Sequence, residues 1–489
     1  MADPLTWQSG EDLRIVSTTA SDSWEQVAPD KWRFELRQGV KFHNGEVWNA
    51  QAALPSLEYQ SVTANASSSS QYTGEFTAKA VGEYTVEITC ACPIFPRTTF
   101  RMLFSAPDYL ASSSEDEFTR RAVSFGPYQQ VQWEPGVAIT AEAYDGYVPA
   151  GDHIEFQKAL IRNVTWVWRD EPSVLAAMIK AGEADLAYDV GVDSPGILGE
   201  DQILYGTQAD IYFFWMDTIW DPELKKTEVR RAIAHAINCQ ELVDTLFGGF
   251  PPCIGNIIWP GSTGATERNT APYEFNPALA RQFLEEANYD PNHLIKITGP
   301  ATAVPRQLEI FEAIDGYLKA VGMNVEINLV EAAINASLAR CRIGVAVGEV
   351  LEAQGKDPTV NEPALADMQA AIDKGGPDCP YAHFQNWGGY SVFTLDFQKA
   401  ALDALDCRRG RSAVCDPSPG GIQEQISLAV AAGGAERQRL MEALADRVHD
   451  DVLLLGLFDV PIFYGVDAKL NWTPRYDKGV RVNTMWFSP

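Results

Sequence analysis

Six histidines, His43, His153, His235, His293, His383 and His449, are the side chains of this sequence best suited to proton transfer or metal ligation. They are scattered, and none forms the His-Glu-x-x-His pattern that puts two imidazoles on one helical face around zinc. There is no Gly-x-Ser-x-Gly elbow, no phosphate-cradling Gly-x-x-x-x-Gly-Lys and no Gly-x-Gly-x-x-Gly opening a helix after a strand. The acidic pairs Glu285-Glu286 and Asp450-Asp451 are adjacent in the chain, where side chains diverge, so they read as solvated surface and not as an acid/base couple. The sequence therefore predicts no catalytic residues, no metal ligands and no cofactor.

Eight cysteines remain to be explained. None lies in the Cys-x-x-Cys spacing of a zinc site. Cys90 and Cys92 in ITCACPIF stand two apart, so on an extended strand they share one face. Cys407 and Cys415 bracket the polar loop CRRGRSAVC. That pair reads either as a loop-closing disulfide, which needs an oxidising compartment, or as buried free thiols.

The 38 basic against 66 acidic residues give a formal charge of -28, which repels both a phosphate backbone and an anionic bilayer and excludes nucleic acid as a partner. A composition of 46% hydrophobic and 21% charged residues is that of a folded globular chain, and 489 residues exceed what one core serves, so two or three domains are expected. No apolar run reaches the roughly 18 residues of a membrane helix. The best, VLLLGLFDVPIFYGV, is interrupted by Asp459 and Pro461 and reads as buried strand. The start, MADPLTWQSG, lacks the basic and apolar regions of a secretory signal, which suits either a cytoplasmic chain or a mature one.

These features need elements to position them. In WRFELRQGVKFHNGEVWNAQAALPSLEYQ, Trp32, Phe34 and Leu36 alternate with charges as a half-buried strand, Asn44-Gly45 supplies a tight turn with two positive φ angles, and Asn49 caps a helix that Pro55 should bend or shorten. In EPSVLAAMIKAGEADLAYDV, Pro172 opens a helix, Gly182 ends it and Leu186 belongs to the strand that follows. VPRQLEIFEAIDGYLKAVGMNVEINLVE repeats that order around Gly322. Two such helix–strand units, far apart, argue two α/β lobes. Between them EVRRAIAHAINCQELVDTLFGGF reads as one amphipathic helix ended by Gly248-Gly249, on which Arg230 and Arg231 are assigned to surface salt bridges. The run Ser67 to Ser70 reads as a loop tip.

The segments FELRQGVKFHNGE with NAQAA, FGPYQQVQWEPG with AYDGY, LAAMIKAGEADLA, EVRRAIAHAINCQELVDTLFGG, NPALARQFLEEANYD, YLKAVGMNVEI and NWTPRYDKGVRV occur in the order typical of one family. From about Trp24 to Arg481 the chain resembles the extracytoplasmic solute-binding proteins of ABC importers, peptide/nickel/opine class. The resemblance implies a two-lobed α/β fold of the type II periplasmic-binding-protein kind: 1–16, 161–265 and 470–489 as lobe one, 17–160 as a subdomain inserted in it, and 266–469 as lobe two. It also implies a non-enzymatic monomer outside the cytoplasm, periplasmic or on the outer face of the membrane, lipid-anchored in some members. Such a protein holds a solute by hinge closure and delivers it to a membrane permease. Family chains open with a longer run of strand and helix than the residues standing ahead of ASDSWEQV here, which reads as a truncated N-terminus or missing pieces, with an incomplete lobe-one sheet.

Peptide binders of the family carry Trp-x-x-Asp, whose carboxylate pairs with the peptide ammonium. The stretch HFQNWGGYSVF matches it at Trp387 but has Tyr390 where the aspartate would stand, and a neutral phenol cannot neutralise a buried cation. The resemblance thus implies a neutral or anionic solute, for instance an oligosaccharide stacked on aromatic faces. The alternatives are an oligopeptide-binding protein of the same fold and a receptor or sensor without an uptake role. Trp387, Tyr390 and Asn386 are the expected ligand contacts of lobe two, and Trp215 and Asp217, in YFFWMDTIWD, those of lobe one.

Overall fold

In the computed structural model, which describes residues 2–62, 76–90, 102–358, 361, 363–391, 394–408 and 411–489, the chain divides into two compact units. One comprises Met1–Leu204, Phe463–Arg475 and Gly479–Pro489, the other Tyr205–Ile462 and Tyr476–Lys478. Cys92 and Ser67 to Ser70 lie outside the described residues.

The first unit grows from the strand and helix predicted near the start. Lys31–Leu36 is hydrogen-bonded between Ser21–Ala28 and Thr85–Cys90, with Phe76–Ala80 outside the latter. Phe34 and Leu36 point into a core where Trp48 meets Phe104 and Phe125, each at 4.7 Å between ring centroids, and its indole N–H donates to the Ala20 carbonyl at 2.9 Å. Gly45 has φ +92° but Asn44 stays at negative φ, its side-chain oxygen accepting from the Glu46 amide instead. The helix Ala50–Ser61 is capped by Asn49 and runs on past Pro55. A second antiparallel sheet joins Tyr128–Glu134, Ala138–Ala143 and Asn163–Val167. The helix Pro172–Ala181 ends at Gly182 with φ +71°, and Leu186–Ala187 pairs with the returning strand Ile462–Val466.

The second unit is built on a five-stranded sheet ordered Asn324–Val330, Leu294–Pro300, Phe384–Ser391, Asp210–Met216, Leu454–Asp459. The first three run parallel and the last two join by antiparallel pairing. Strand Asp210–Met216 is buried along nearly its whole length, the pattern of a strand covered on both faces. Its two ladders bind residues 205–265 to 266–462, so this stretch, expected in lobe one, belongs to the second unit. Residues 463–469, expected in lobe two, pack with the first, because Val466 and Gly465 pair with Leu186 and Ala187. The predicted single helix after Glu228 is two, Thr227–Ala236 and Cys239–Phe247, because Ile237 turns extended and Asn238 caps a new start by accepting from the Glu241 amide. Arg230 is not a surface residue: it is buried and donates to the Leu224, Lys225, Asp451 and Val452 carbonyls, whereas Arg231 reaches the Asp450 carbonyl and, at 3.8 Å, the Asp451 carboxylate.

Disulfides Cys239–Cys253, Cys341–Cys379 and Cys407–Cys415 all lie in the second unit, and Cys90 of the first is also disulfide-bonded. No helix among the described residues is long and apolar enough to cross a membrane.

Candidate functional site

The strand Phe384–Ser391 carries the predicted Trp387. Its register with Asp210–Met216 pairs Phe213 with Gly388 and Phe214 with Asn386, which leaves Trp387 as the extra residue of a bulge. A bulge breaks the strict alternation of a strand and re-aims the inserted side chain. Gly388, with φ +92°, makes this possible: a Cβ there would meet the Ala303 side chain at 2.8 Å. Trp387 is half-buried, packed edge-on against Trp215 at 6.0 Å.

The other four predicted residues are enclosed. Trp215 is 2% exposed and belongs to the core, on a strand adjacent to that of Trp387 in one sheet and not on a separate lobe. Asn386 is fully buried and engaged at both ends of its carboxamide: its side-chain NH2 donates to the Phe213 carbonyl at 2.7 Å, and its side-chain oxygen accepts from Gln307 at 3.1 Å and the Gly388 amide at 2.9 Å. Asp217 is buried and holds the turn after the strand, accepting from the amides of Ile219, Trp220 and Asp221. Tyr390 is 8% exposed. Its hydroxyl lies 3.1 Å from an Asp403 oxygen and 3.2 Å from the Lys399 carbonyl, and the Lys399 ammonium sits 4.0 Å from its ring centroid. The face of this phenol is thus occupied by the chain's own cation.

Three charged groups near these residues escaped sequence reasoning. Arg342, 2% exposed, lies over the Trp215 ring at 4.8 Å and donates to Gln385. Burial lowers its pKa to about 10, while the charge of Asp217 opposes the fall. His383 has Nδ1 2.6 Å from Asp217 and 3.9 Å from Asp221, and Asp221 is also 3.1 Å from His293. Burial pulls the His383 imidazole down, but the hydrogen bond and charge of Asp217, with the charge of Asp221, outweigh it and leave its pKa raised. Arg411 stands over the Trp387 ring at 5.4 Å. Its loop is closed by Cys407–Cys415 and pinned beyond Arg411 by the fully buried Ser412, whose hydroxyl lies 2.7 Å from the Val414 carbonyl, and by the Ala413 carbonyl, which accepts from the Thr218 amide at 3.0 Å. The Arg-rich run between two cysteines was a readable signal for Arg411. Nothing local in CRIG marks Arg342.

No group of three or more metal-ligating side chains forms a metal site among the described residues. Of the five predicted residues Trp387 alone keeps partial exposure, with Arg411 over its ring, on a mixed α/β fold that solved structures share. The ABC transporter substrate-binding protein CtaP of Listeria monocytogenes superposes with a TM-score of 0.77 at 14% identity, over 99% of this chain and 93% of that one. NikA from Brucella suis, solved in complex with Fe(III)-EDTA, does so at 0.75 and 17% identity, over 100% and 94%. In sequence, the glutathione-binding protein GsiB of Pectobacterium atrosepticum is 24% identical over 332 residues, 66% of this chain, and this chain spans 62% of that relative's length. The family model of the bacterial extracellular solute-binding proteins, family 5, matches residues 14–367. The chain belongs to that family.

Proposed function

We propose that the protein is the solute-capturing component of an ABC importer, working outside the cytoplasm as a monomer: it holds a solute by hinge closure, hands it to a membrane permease and performs no bond chemistry. Family membership supports the role. The disulfides Cys239–Cys253, Cys341–Cys379 and Cys407–Cys415 support an oxidising compartment, since cytosolic thiols are kept reduced.

The observation that carries the reading is Trp387, an indole thrown out of its sheet by a bulge and left half-buried. A bulge re-aims a side chain out of its strand's alternation and is a device often placed beside functional sites, which suits a solute-stacking role. Trp387 is the direct contact in this reading, with Trp215 packed edge-on against it from within. With the Lys399 ammonium on the Tyr390 ring, the place where peptide binders offer a carboxylate to a ligand ammonium already holds a cation. This disfavours free-amine peptides and favours a neutral or anionic solute. A small-peptide alternative is kept by the name of the glutathione-binding relative.

A thermal-shift panel of glutathione, di- to hexapeptides and oligosaccharides tests the role, because a ligand of the native state raises the melting temperature. A member of the panel should produce a shift that Trp387→Ala abolishes. Should the unliganded melt of that variant collapse, Trp387→Leu gives the same comparison with less lost packing. A shift of undiminished size in both variants would remove Trp387 from the site.

A further inference from the structure

We propose that Arg411 is an anion-recognition group, and that the solute taken at Trp387 presents an oxyanion, a carboxylate or a phosphate, to its guanidinium. The inference rests on the solute-capture reading and specifies the chemistry of that site.

Arg411 is exposed, and its contact among the described residues is the indole of Trp387; no carboxylate pairs with it and none of its N–H groups is bonded. Arg14, Arg120, Arg162, Arg268 and Arg439, also exposed, each hold an aspartate or glutamate; Arg121, Arg169, Arg281 and Arg340 are exposed without one, and among the described residues Arg411 differs from them in lying over an indole. A guanidinium over a ring keeps its in-plane donors free, in the fork that matches a carboxylate or phosphate.

The chain on the C-terminal side of Arg411 is anchored before any ligand arrives. The Cys407–Cys415 bridge closes the loop, and Ser412, Ala413 and Val414 are buried behind it. Pre-ordering there spares loop entropy that binding would otherwise cost. The local field has the same sign, for Arg411 lies close enough to Lys399 for its charge to oppose protonation of that ammonium. Lys399 has its own carboxylates, Asp403 at 3.3 Å from the ammonium and the charge of Asp210 further off. A bound oxyanion would relieve the repulsion between the two cations. A neutral sugar would gain nothing from it and would have to displace Arg411 from the indole.

The test has a ligand-free arm and a ligand arm. Iodide, an anionic quencher, should quench the emission that is lost in Trp387→Phe more strongly in the parent protein than in Arg411→Gln, with neutral acrylamide quenching both equally. Calorimetric titration then compares glutathione with its diethyl ester and glycerol 3-phosphate with glycerol. An anionic member should bind, its neutral counterpart should bind at least roughly tenfold more weakly, and Arg411→Gln should weaken the anion by roughly 10–100-fold, the range of a charge-assisted hydrogen bond. Arg411→Lys should restore part of the loss. The glutathione and phosphate arms separate the two sources of oxyanion. Iodide quenching unchanged in Arg411→Gln, or anion binding that the substitution leaves intact, overturns the inference. Binding of the neutral members or of an oligosaccharide alone overturns it too, but leaves solute capture standing.

Discussion

Two arginine–tryptophan stacks lie in the second unit, and they differ in almost everything except their chemistry. Arg342 over Trp215 is sealed in the interior, both residues 2% exposed, with Gln385 bonded to the guanidinium and Asp217 supplying a balancing charge. Arg411 over Trp387 is at the surface, with no carboxylate or acceptor bonded to its guanidinium among the described residues. Each arginine neighbours a disulfide, Cys341–Cys379 beside Arg342 and Cys407–Cys415 around Arg411. A cation sealed inside must have its partners built in, and its loss is felt as stability. A cation fixed at the surface without a partner leaves its hydrogen-bonding capacity for something that arrives later. The same pair of residue types thus serves structure in one place and recognition in the other.

The largest effects should come from the covalent frame. The Cys341–Cys379 bridge spans 38 residues and Cys407–Cys415 only 8. Loop-closure entropy gives about 4 kcal/mol for the first and about 2.5 kcal/mol for the second. Paired Cys→Ser variants compared by denaturant melts should keep that order. If the short bridge proves the more stabilising, the division between a structural and a recognition stack fails at its covalent base.

Arg342→Ala should follow, at about 3 kcal/mol, since it opens a cavity beneath Trp215 and leaves the Gln385 oxygen without its donor. Urea midpoints at constant m value measure this. A loss as small as that of a surface substitution would mean that the buried stack is dispensable and the contrast one of exposure alone.

How much of this could be read from the sequence follows from what each feature depends on. The strand Lys31–Leu36 and the helix Ala50–Ser61, the Gly182 and Gly322 stops and the strands on either side of Pro461 were legible because local rules, periodicity, caps and glycine conformation, decide them. The break at Asn238 was missed because a continuous apolar stripe hides an N-cap in its middle. The placement of Trp215 beside Trp387 depends on a ladder between strands some 170 positions apart (Phe214 with Asn386), which no window of residues contains. Trp387 was singled out by motif, but its place in a bulge is a register shift visible only against the partner strand. Arg342 and His383 act through residues far away in the chain and carry no local mark.

A smaller effect concerns pH. The folded pKa of His383 is raised by Asp217 and Asp221 against the pull of burial, so the folded state binds this proton more tightly than the unfolded chain does. The stabilisation is full below the unfolded imidazole value of about 6.5 and is lost as pH rises through the higher folded value. Because the ring is 43% exposed, screening should keep the effect under about 1 kcal/mol. Denaturation at pH 6 and pH 8 should therefore show a decline that His383→Gln flattens. A parallel decline in the variant would assign the pH dependence elsewhere and detach the Asp217 turn from the polar frame beneath the buried stack.

The smallest effect is the sharpest for the comparison. Arg411→Gln removes an exposed charge that no carboxylate balances, so the unliganded protein should lose less than about 0.5 kcal/mol, the usual range for a surface substitution away from caps and pairs. In a chain of charge -28, deleting a cation also adds a little self-repulsion, which works in the same small direction and fades with salt. Denaturant melts at low and high salt read both contributions. A loss near that of Arg342→Ala would show that Arg411 braces its loop from outside, and the surface stack would then be a second structural element with no capacity left over for a solute.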